Sequence, residues 1–286
     1  MVDAEPATLA ALRRAFRRYG LTPATVRKFR NLVYAHYETE GRTFPWRETD
    51  DPYRILVSEI MLQQTQTSRV LVKWAPFLAA FPTVQALAAA SQREVLAAWQ
   101  GLGYNRRALN LHRAAKAIVA EHGGRVPDST AALTGLPGVG RDTAGAVLVL
   151  AFNRPAAYLE TNIRAVYHHV FSPEGTMKDA EVRELVGKTL DREDPRRWYF
   201  ALYDYGASLK RARQAGPVKR KQSRFEGSDR QVRGAVLRLL LERREVAEEE
   251  APGLLGEPAE RVARLLGQLR DEGFVEVKDG RIRLRD

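Results

Sequence analysis

The sequence predicts a mainly α fold that contains a helix–hairpin–helix and ends in a small winged-helix-like α+β domain. Three observations lead to this prediction. Apolar residues recur at helical spacing from residue 50 to 153, without the alternation typical of strands. The turn at residues 136–140, Leu-Pro-Gly-Val-Gly, lies between two helical segments. In the tail, helical periodicity is followed by alternating residues around Asp279-Gly280, a typical type I′ hairpin pair.

Composition and charge limit the classes of protein that are possible. The chain has 286 residues, with 46 Lys and Arg against 35 Asp and Glu, a net charge of +11 that favours a polyanionic partner such as nucleic acid. It has no cysteine, which excludes disulfides, thiolate zinc sites and cysteine nucleophiles, and its five His residues show no zinc-ligand spacing. The cysteine and histidine content predicts no metal site. We find no apolar run of membrane-spanning length and no signal-peptide core, so we expect a cytoplasmic protein.

Periodicity and capping residues predict the helices in order. Thr83 and Ser91 are expected N-caps, and Thr161 or Asn162 is expected to cap the helix that follows them. The predicted helices span residues 5–20, 23–39, a segment opening at 51–53, 68–80, 83–89, 91–100, 105–121, 129–134, 141–152, 161–171, 178–190 and 195–209.

The turn at residues 136–140 is the candidate nucleic-acid contact. Gly138 and Gly140 are expected to allow positive φ and close backbone approach, flanked by Leu136 and Val139. Their N–H groups, with the start of the next helix, can hold one phosphate and so bind a backbone without reading sequence. An ordinary joint between two helices is the alternative.

Glu59 is the first candidate catalytic residue. It stands among Ile55, Leu56, Ile60 and Leu62, and apolar surroundings raise a carboxyl pKa, which suits a general acid. A surface glutamate is the alternative. The polar segment that follows, residues 63–66, reads as a loop, and Arg106, Arg107 and Arg113 are expected to contact phosphate or stay solvated.

The tail forms a separate unit in this interpretation. Helices at 229–243, 245–255 and 258–271 precede a hairpin at 274–284, an order that resembles a winged helix. Such a domain binds DNA or docks on a protein. The cations available for DNA are Arg264, Arg270, Lys278, Arg281 and Arg283.

Four segments carry a family resemblance. Residues 45–66 (PWRETDDPYRILVSEIMLQQTQ), 81–88, 99–115 and 136–148 resemble MutY-type adenine DNA glycosylases, members of the helix–hairpin–helix superfamily with endonuclease III. The resemblance covers roughly residues 27–210 and implies two helical domains with an active-site groove between them. We expect one domain from residues 1–49 and 154–209, a helical barrel at 50–153, a basic linker at 210–228 and the tail at 229–286.

The resemblance also implies roles for individual residues. A flipped-out base would be protonated with Glu59 as acid, while Glu160 stabilises the oxocarbenium-like sugar and activates water. Bifunctional relatives have a Schiff-base lysine where Asp142 stands, so we expect a monofunctional enzyme. The loop entering the duplex would be Gln63, Gln64 and Thr65. Tyr104 and Asn105 would lie beside the lesion, Asn105 replacing a second tyrosine of the family.

The sequence departs from the family elsewhere. Glu160 replaces an aspartate and reaches one methylene further. Lys210 stands about where the first of four cluster cysteines is expected, so we predict no iron–sulfur cluster. Lys210 and Arg211 of the basic segment are expected to bind phosphate, unless that segment is only a linker. A monovalent cation at the hairpin is expected only with DNA bound. The tail replaces a larger domain that helps to recognise 8-oxoguanine.

Three functions remain open from the sequence. The first is a monofunctional DNA glycosylase of base excision repair that removes adenine opposite 8-oxoguanine or guanine. The second is a mismatch glycosylase that removes thymine or uracil opposite guanine. The third is a non-catalytic DNA-binding protein. In each case we expect a nucleoid-associated monomer on double-stranded DNA, with a protein partner for the tail as a further option.

Overall fold

A computed structural model describes residues 7–174, 177–214 and 225–285, with the backbone alone at 210–214. The first helices are α1 Ala7–Tyr19, α2 Pro23–Glu40, α3 Pro52–Leu62, α4 Thr67–Leu71, α5 Trp74–Ala80, α6 Val84–Ala89, α7 Gln92–Trp99 and α8 Arg106–Glu121. They are followed by α9 Thr130–Gly135, α10 Arg141–Phe152, α11 Thr161–Phe171, α12 Asp179–Thr189 and α13 Pro195–Gln214. The tail comprises α14 Asp229–Glu242, β1 Glu245–Ala247, α15 Ala251–Leu255, α16 Ala259–Asp271, β2 Val275–Lys278 and β3 Arg281–Leu284. The predicted mainly helical fold is confirmed. None of the described helices combines the length and hydropathy that a membrane span requires.

Contacts divide the chain into two compact units. The first comprises Met1–Glu59, Asp128–Gly135 and Val139–Lys219, and the second comprises Ile60–Pro127, Leu136–Gly138 and Arg220–Asp286. This grouping places α10 in the first unit and the tail in the second, together with α4 to α8. The domain limits expected from the sequence, at residues 49, 153, 209 and 228, stay a prediction.

The core of the first unit is built on aromatic side chains from three helices. Phe29 of α2 makes edge-to-face contacts with Tyr167 and Phe171 of α11 and with Trp198 of α13. Phe29, Tyr167 and Trp198 are fully buried. Each such pair adds about 0.5–1.5 kcal/mol beyond the burial of its area. This cluster therefore fixes α11, which Glu160 immediately precedes, against α13.

Local signals set the ends of several helices as predicted. The Thr83 side chain accepts a hydrogen bond from the Ala86 N–H and caps α6. Ser91 and Glu94 form a capping box at α7. The predicted helix at 68–80 is wrong in one respect, because the chain forms two helices, α4 and α5. Pro76 explains the break, since its ring clashes with the carbonyl four residues earlier and it has no N–H.

The tail contains one antiparallel sheet in the order β1-β3-β2. Asp279 and Gly280 both have positive φ, as a type I′ turn requires. The predicted helix at 245–255 is wrong over its first residues, because Val246 pairs with Ile282 of β3 and both side chains are buried. Pairing with a strand distant in sequence outweighs the local helix preference.

Side chains of α7 bind the tail through backbone carbonyls within the second unit. The Gln92 Nε2 donates to the Phe274 carbonyl at 3.0 Å, and the Arg93 Nη1 donates to the Leu241 carbonyl at 2.9 Å. Four of the five tail cations that were expected to meet DNA, Arg264, Arg270, Arg281 and Arg283, are in ion pairs inside the tail. Arg264 contacts Asp229 at 2.7 Å, and Arg281 contacts Glu245 at 3.0 Å.

Gly206 allows α13 to approach the first turn of α11. A Cβ at this position would lie 2.3 Å from the Asn162 carbonyl oxygen, which belongs to the backbone and cannot move aside. We expect Gly206→Ala to lower the free energy of unfolding by about 3 kcal/mol. Gly187→Ala is the matched control, since its Cβ would meet only Ala157 at 3.8 Å. It should be neutral or stabilise by about 0.5–1 kcal/mol. Equal unfolding midpoints in urea for the two variants would contradict this account.

Candidate active site

Glu59 lies on α3 in apolar surroundings. Its helix neighbours Ile55 and Leu56 are each 1% exposed, while the Glu59 side chain keeps partial access to solvent. The pKa of Glu59 is raised to about 7, chiefly by burial and further by the charge of Glu160, while the nearby Arg47 opposes both. The raised pKa expected from the sequence is therefore present. A carboxyl group in this state can carry a proton at neutral pH and deliver it.

Glu160 is held by the start of α11. Its Oε1 accepts hydrogen bonds from the N–H groups of Asn162, at 2.7 Å, and Ile163, at 2.8 Å. Glu160 is thus the N-cap of the helix, and the expectation that Thr161 or Asn162 would cap it is wrong. The side chain folds back over its own helix, where a negative charge is favourable.

Asp142 anchors the segment that leads to Glu160. Its Oδ1 accepts from the Leu159 N–H at 3.0 Å, and Arg183 donates to both carboxylate oxygens, at 2.6 and 3.2 Å. Burial opposes the charged form, but the bonds from Arg183 and Leu159 outweigh it and hold the pKa of Asp142 below its usual value. Asp142 therefore stays ionised and fixes Leu159 next to α10.

A pair of tyrosines lies beside the carboxylates and was missed by the sequence analysis. The hydroxyl groups of Tyr158 and Tyr203 are 2.6 Å apart, and Tyr158 stacks on Tyr199 with ring centroids 4.0 Å apart. Burial raises the pKa of Tyr158 and Tyr203 well above the usual range, and the charge of Glu59 adds to it. Gly145 leaves space for Tyr158, since a Cβ there would lie 2.7 Å from the tyrosine Cβ.

Asp204 and two arginines form a buried ion cluster that the sequence analysis also missed. Arg47 donates to the two Asp204 oxygens at 2.8 and 2.9 Å, and Arg42 Nε donates at 2.7 Å. Asp204 is 1% exposed. Burial opposes its charge, yet the arginine bonds keep the pKa of Asp204 below its usual value. The only sequence signal was an aspartate inside an apolar stretch of α13.

In the loop after α3, two side chains form hydrogen bonds within the protein and one is exposed to solvent. The Gln63 Nε2 donates to the Gly138 carbonyl at a long 3.4 Å, and Thr65 accepts from a buried arginine of α8. Gln64 is exposed and has a φ of 54°. Of the three residues expected to meet DNA here, Gln64 is the one presented to solvent.

Tyr104 and Asn105 stand at the turn before α8. Tyr104 is 43% exposed with a φ of 47°, and Asn105 occupies the N-cap position of α8 without a side-chain capping bond. Both lie in the second unit, as the loop after α3 does. Tyr104 therefore combines an exposed side chain with a left-handed backbone conformation.

The hairpin between α9 and α10 buries Leu136 and Val139 and exposes its two glycines. Gly138 has a φ of +79°, and a Cβ there would lie 2.7 Å from the Asn110 Cβ. Gly140 has a φ of −81°, so the positive φ expected for it is wrong. A Cβ at Gly140 would meet no atom of the described residues within 4 Å apart from its chain neighbours, so the space beside this residue is open.

Part of the basic linker lies outside the described residues. This holds for the side chains of Lys210 and Arg211 and for residues 215–224. An iron–sulfur cluster requires thiolates, and the chain has no cysteine. Within the described ranges, no three His, Asp or Glu side chains are grouped to hold a metal. The donor set does not fit a cluster, and its absence stays a prediction.

Comparisons with known proteins show the family of the chain. Residues 57–192 match the HhH-GPD superfamily of base excision DNA repair proteins. The adenine DNA glycosylase of Mycobacterium tuberculosis (strain CDC 1551 / Oshkosh) is 37% identical over 239 residues, which cover 73% of this chain and 77% of that protein. The adenine DNA glycosylase of Mycolicibacterium smegmatis is 36% identical over 276 residues, covering 87% and 93%. The solved structure of a thermostable thymine-DNA glycosylase matches with a TM-score of 0.60 and 29% identity, over 64% of this chain and 86% of that one.

The matched domain and these relatives define the class of the protein as a DNA glycosylase of base excision repair. The chain belongs to the HhH-GPD superfamily of base excision DNA repair proteins, as a glycosylase of the MutY type. This membership confirms the predicted fold and enzyme class. It also favours catalysis over the non-catalytic reading.

The raised pKa of Glu59 makes stability depend on pH. The folded-state pKa, about 7, lies above the ordinary value of 4.5, so this contribution is complete below pH 4.5 and is lost as pH rises towards 7. Glu59→Gln cannot ionise, so its free energy of unfolding lacks this loss. Relative to the wild type, we expect the free energy of unfolding of Glu59→Gln to rise by roughly 2 kcal/mol between pH 5 and pH 8. Urea unfolding at both pH values measures this, with the exposed Glu121→Gln as control. A constant difference between wild type and Glu59→Gln would contradict it.

Proposed function

We propose that the protein is a monofunctional glycosylase that releases adenine opposite 8-oxoguanine or guanine in double-stranded DNA. The observation that carries the proposal is the pairing of Glu59, poised to hold a proton, with Glu160, held at the start of α11. The adenine specificity of the curated relatives supports the choice of base. The chain would act as a monomer on the chromosome, and a protein partner for the tail stays a prediction.

The two carboxyl groups divide the chemistry between them. A base inside a duplex is out of reach, so the nucleotide must first leave the stack. Glu59 then gives its proton to a ring nitrogen of adenine, which makes the purine a better leaving group. The negative charge of Glu160 stabilises the oxocarbenium-like sugar as the N-glycosidic bond breaks. Glu160 next takes a proton from the attacking water, whose oxygen bonds to the sugar carbon.

Asp142 supports the monofunctional assignment. A Schiff base needs an amine, and the carboxylate here is occupied by Arg183 and the Leu159 N–H. We therefore propose that strand cleavage needs added alkali. The exposed backbone of Gly138 and Gly140 suits a phosphate of the bound strand, where a monovalent cation would join it only in the DNA complex.

A mismatch glycosylase for thymine or uracil opposite guanine is the second candidate. The likeness to a thymine-DNA glycosylase structure favours it. Pyrimidine bases leave as stabilised anions and depend less on an acid. The raised pKa of Glu59 favours a purine substrate, because a general acid would accelerate the release of uracil only a little.

The base that is excised can be identified with four labelled duplexes, A:8-oxoguanine, A:G, T:G and U:G, each analysed with and without alkali. We expect alkali-dependent cleavage at adenine alone. Cleavage at thymine or uracil opposite guanine would instead establish the second candidate. Cleavage without alkali would overturn the monofunctional assignment.

The acid role of Glu59 can be tested by substitution and by pH. Glu59→Gln keeps the shape but not the proton, so we expect adenine release under single-turnover conditions to fall by about 10²- to 10⁴-fold. The wild-type rate should decline as pH rises through about 7, where the acid loses its proton. Glu121→Gln is the control on an exposed site. A flat pH profile, or full activity of Glu59→Gln, would rule out this role.

A further inference from the structure

Arg107 of α8 is buried, contrary to the expectation that it would contact phosphate or stay solvated. Its side chain is 8% exposed and makes no ion pair among the described residues. Its two terminal nitrogens donate instead to oxygens of two loops and of the end of α3, all in the second unit. The acceptors are the carbonyls of Ile60 (2.9 Å), Met61 (2.8 Å), Gln63 (2.6 Å), Leu102 (3.4 Å) and Gly103 (3.0 Å) and the hydroxyl of Thr65 (2.8 Å).

The guanidinium lies between aromatic rings as well. Its Cζ is 5.4 Å from the Trp99 ring centroid and 5.5 Å from that of Tyr104. Burial lowers the pKa of Arg107 to about 10, so the group keeps its charge at neutral pH. The four hydrogens of the two terminal nitrogens are shared among these six acceptors while the planar group stacks on rings, an arrangement that a lysine ammonium cannot reproduce.

The two loops that Arg107 joins both contain strained backbone. Gln64 has a φ of 54° and Tyr104 a φ of 47°, a left-handed conformation that is costly for residues other than glycine. Such conformations persist only where surrounding contacts hold them in place. The acceptors Gln63 and Thr65 flank Gln64, and Gly103 precedes Tyr104, so Arg107 supplies those contacts on both sides.

We propose that Arg107 is a positioning residue that sets the loop at 63–65 against the turn at 102–105 and thereby determines the preference of the enzyme for a mispaired over a fully paired duplex. The proposal rests on the glycosylase function above and extends it to selectivity. Arg107 itself is buried and does not reach DNA. It acts through the exposed side chains of Gln64 and Tyr104, whose places in the two loops it fixes.

The test compares Arg107→Lys with the wild type and with Arg125→Lys, an exposed control in the same unit. Dissociation constants are measured by fluorescence anisotropy for a duplex with one A:8-oxoguanine pair and for a fully paired duplex. We expect the wild type to prefer the mispair and Arg107→Lys to lose about tenfold of that preference, as the loss of charged hydrogen bonds implies. Arg125→Lys should keep the wild-type ratio.

A merely structural role predicts a different pattern. Thermal stability would fall and both dissociation constants would rise by the same factor, which leaves the ratio unchanged and overturns the proposal. A wild type without preference would overturn it too. If Arg107→Lys does not fold, Thr65→Val, which removes one acceptor, should lower the ratio several-fold, and an unchanged ratio would overturn the proposal. A wild type that prefers the mispair but releases no adenine would refute the proposed function alone.

Discussion

The desolvation of one carboxyl group is the constraint on which the site in the first unit depends. Glu59 stands on a helix whose neighbouring side chains are buried, so its charged form is disfavoured. Arg47 lies near enough to oppose this shift, but burial and the charge of Glu160 outweigh it. Both arms of Arg47 are bound by Asp204.

Glu160 obtains the opposite environment from its position at the start of a helix. Three features fix that start. Asp142 holds the N–H of Leu159, Gly206 lets α13 approach the first turn, and the Glu160 side chain caps its own helix. Glu59 and Glu160 therefore stand in different surroundings within one unit, the first among buried apolar side chains and the second at a hydrogen-bonded helix start.

Positively and negatively charged side chains of the tail pair with one another. Cations at Arg264 and Arg281 are matched by Asp229 and Glu245, so these residues offer less to a phosphate backbone than their number in the sequence suggested. Exposed ion pairs of this kind contribute little to stability. The attachment of the tail to α7 relies instead on backbone carbonyls. The tail is therefore held against α7 within the second unit.

Features that depend on residues close together in the chain could be predicted from the sequence. Helix starts at Thr83 and Ser91, the type I′ turn and the hairpin between α9 and α10 follow from contacts within a few residues, and the raised pKa of Glu59 from its apolar neighbours. The partners of the buried charged side chains, in contrast, follow only from the folded structure. Arg47 and Asp204 are 157 positions apart, and Arg107 finds acceptors more than 40 positions away. The reason is physical: burial turns an arginine from a solvated cation into an anchor, and only the folded chain supplies its acceptors.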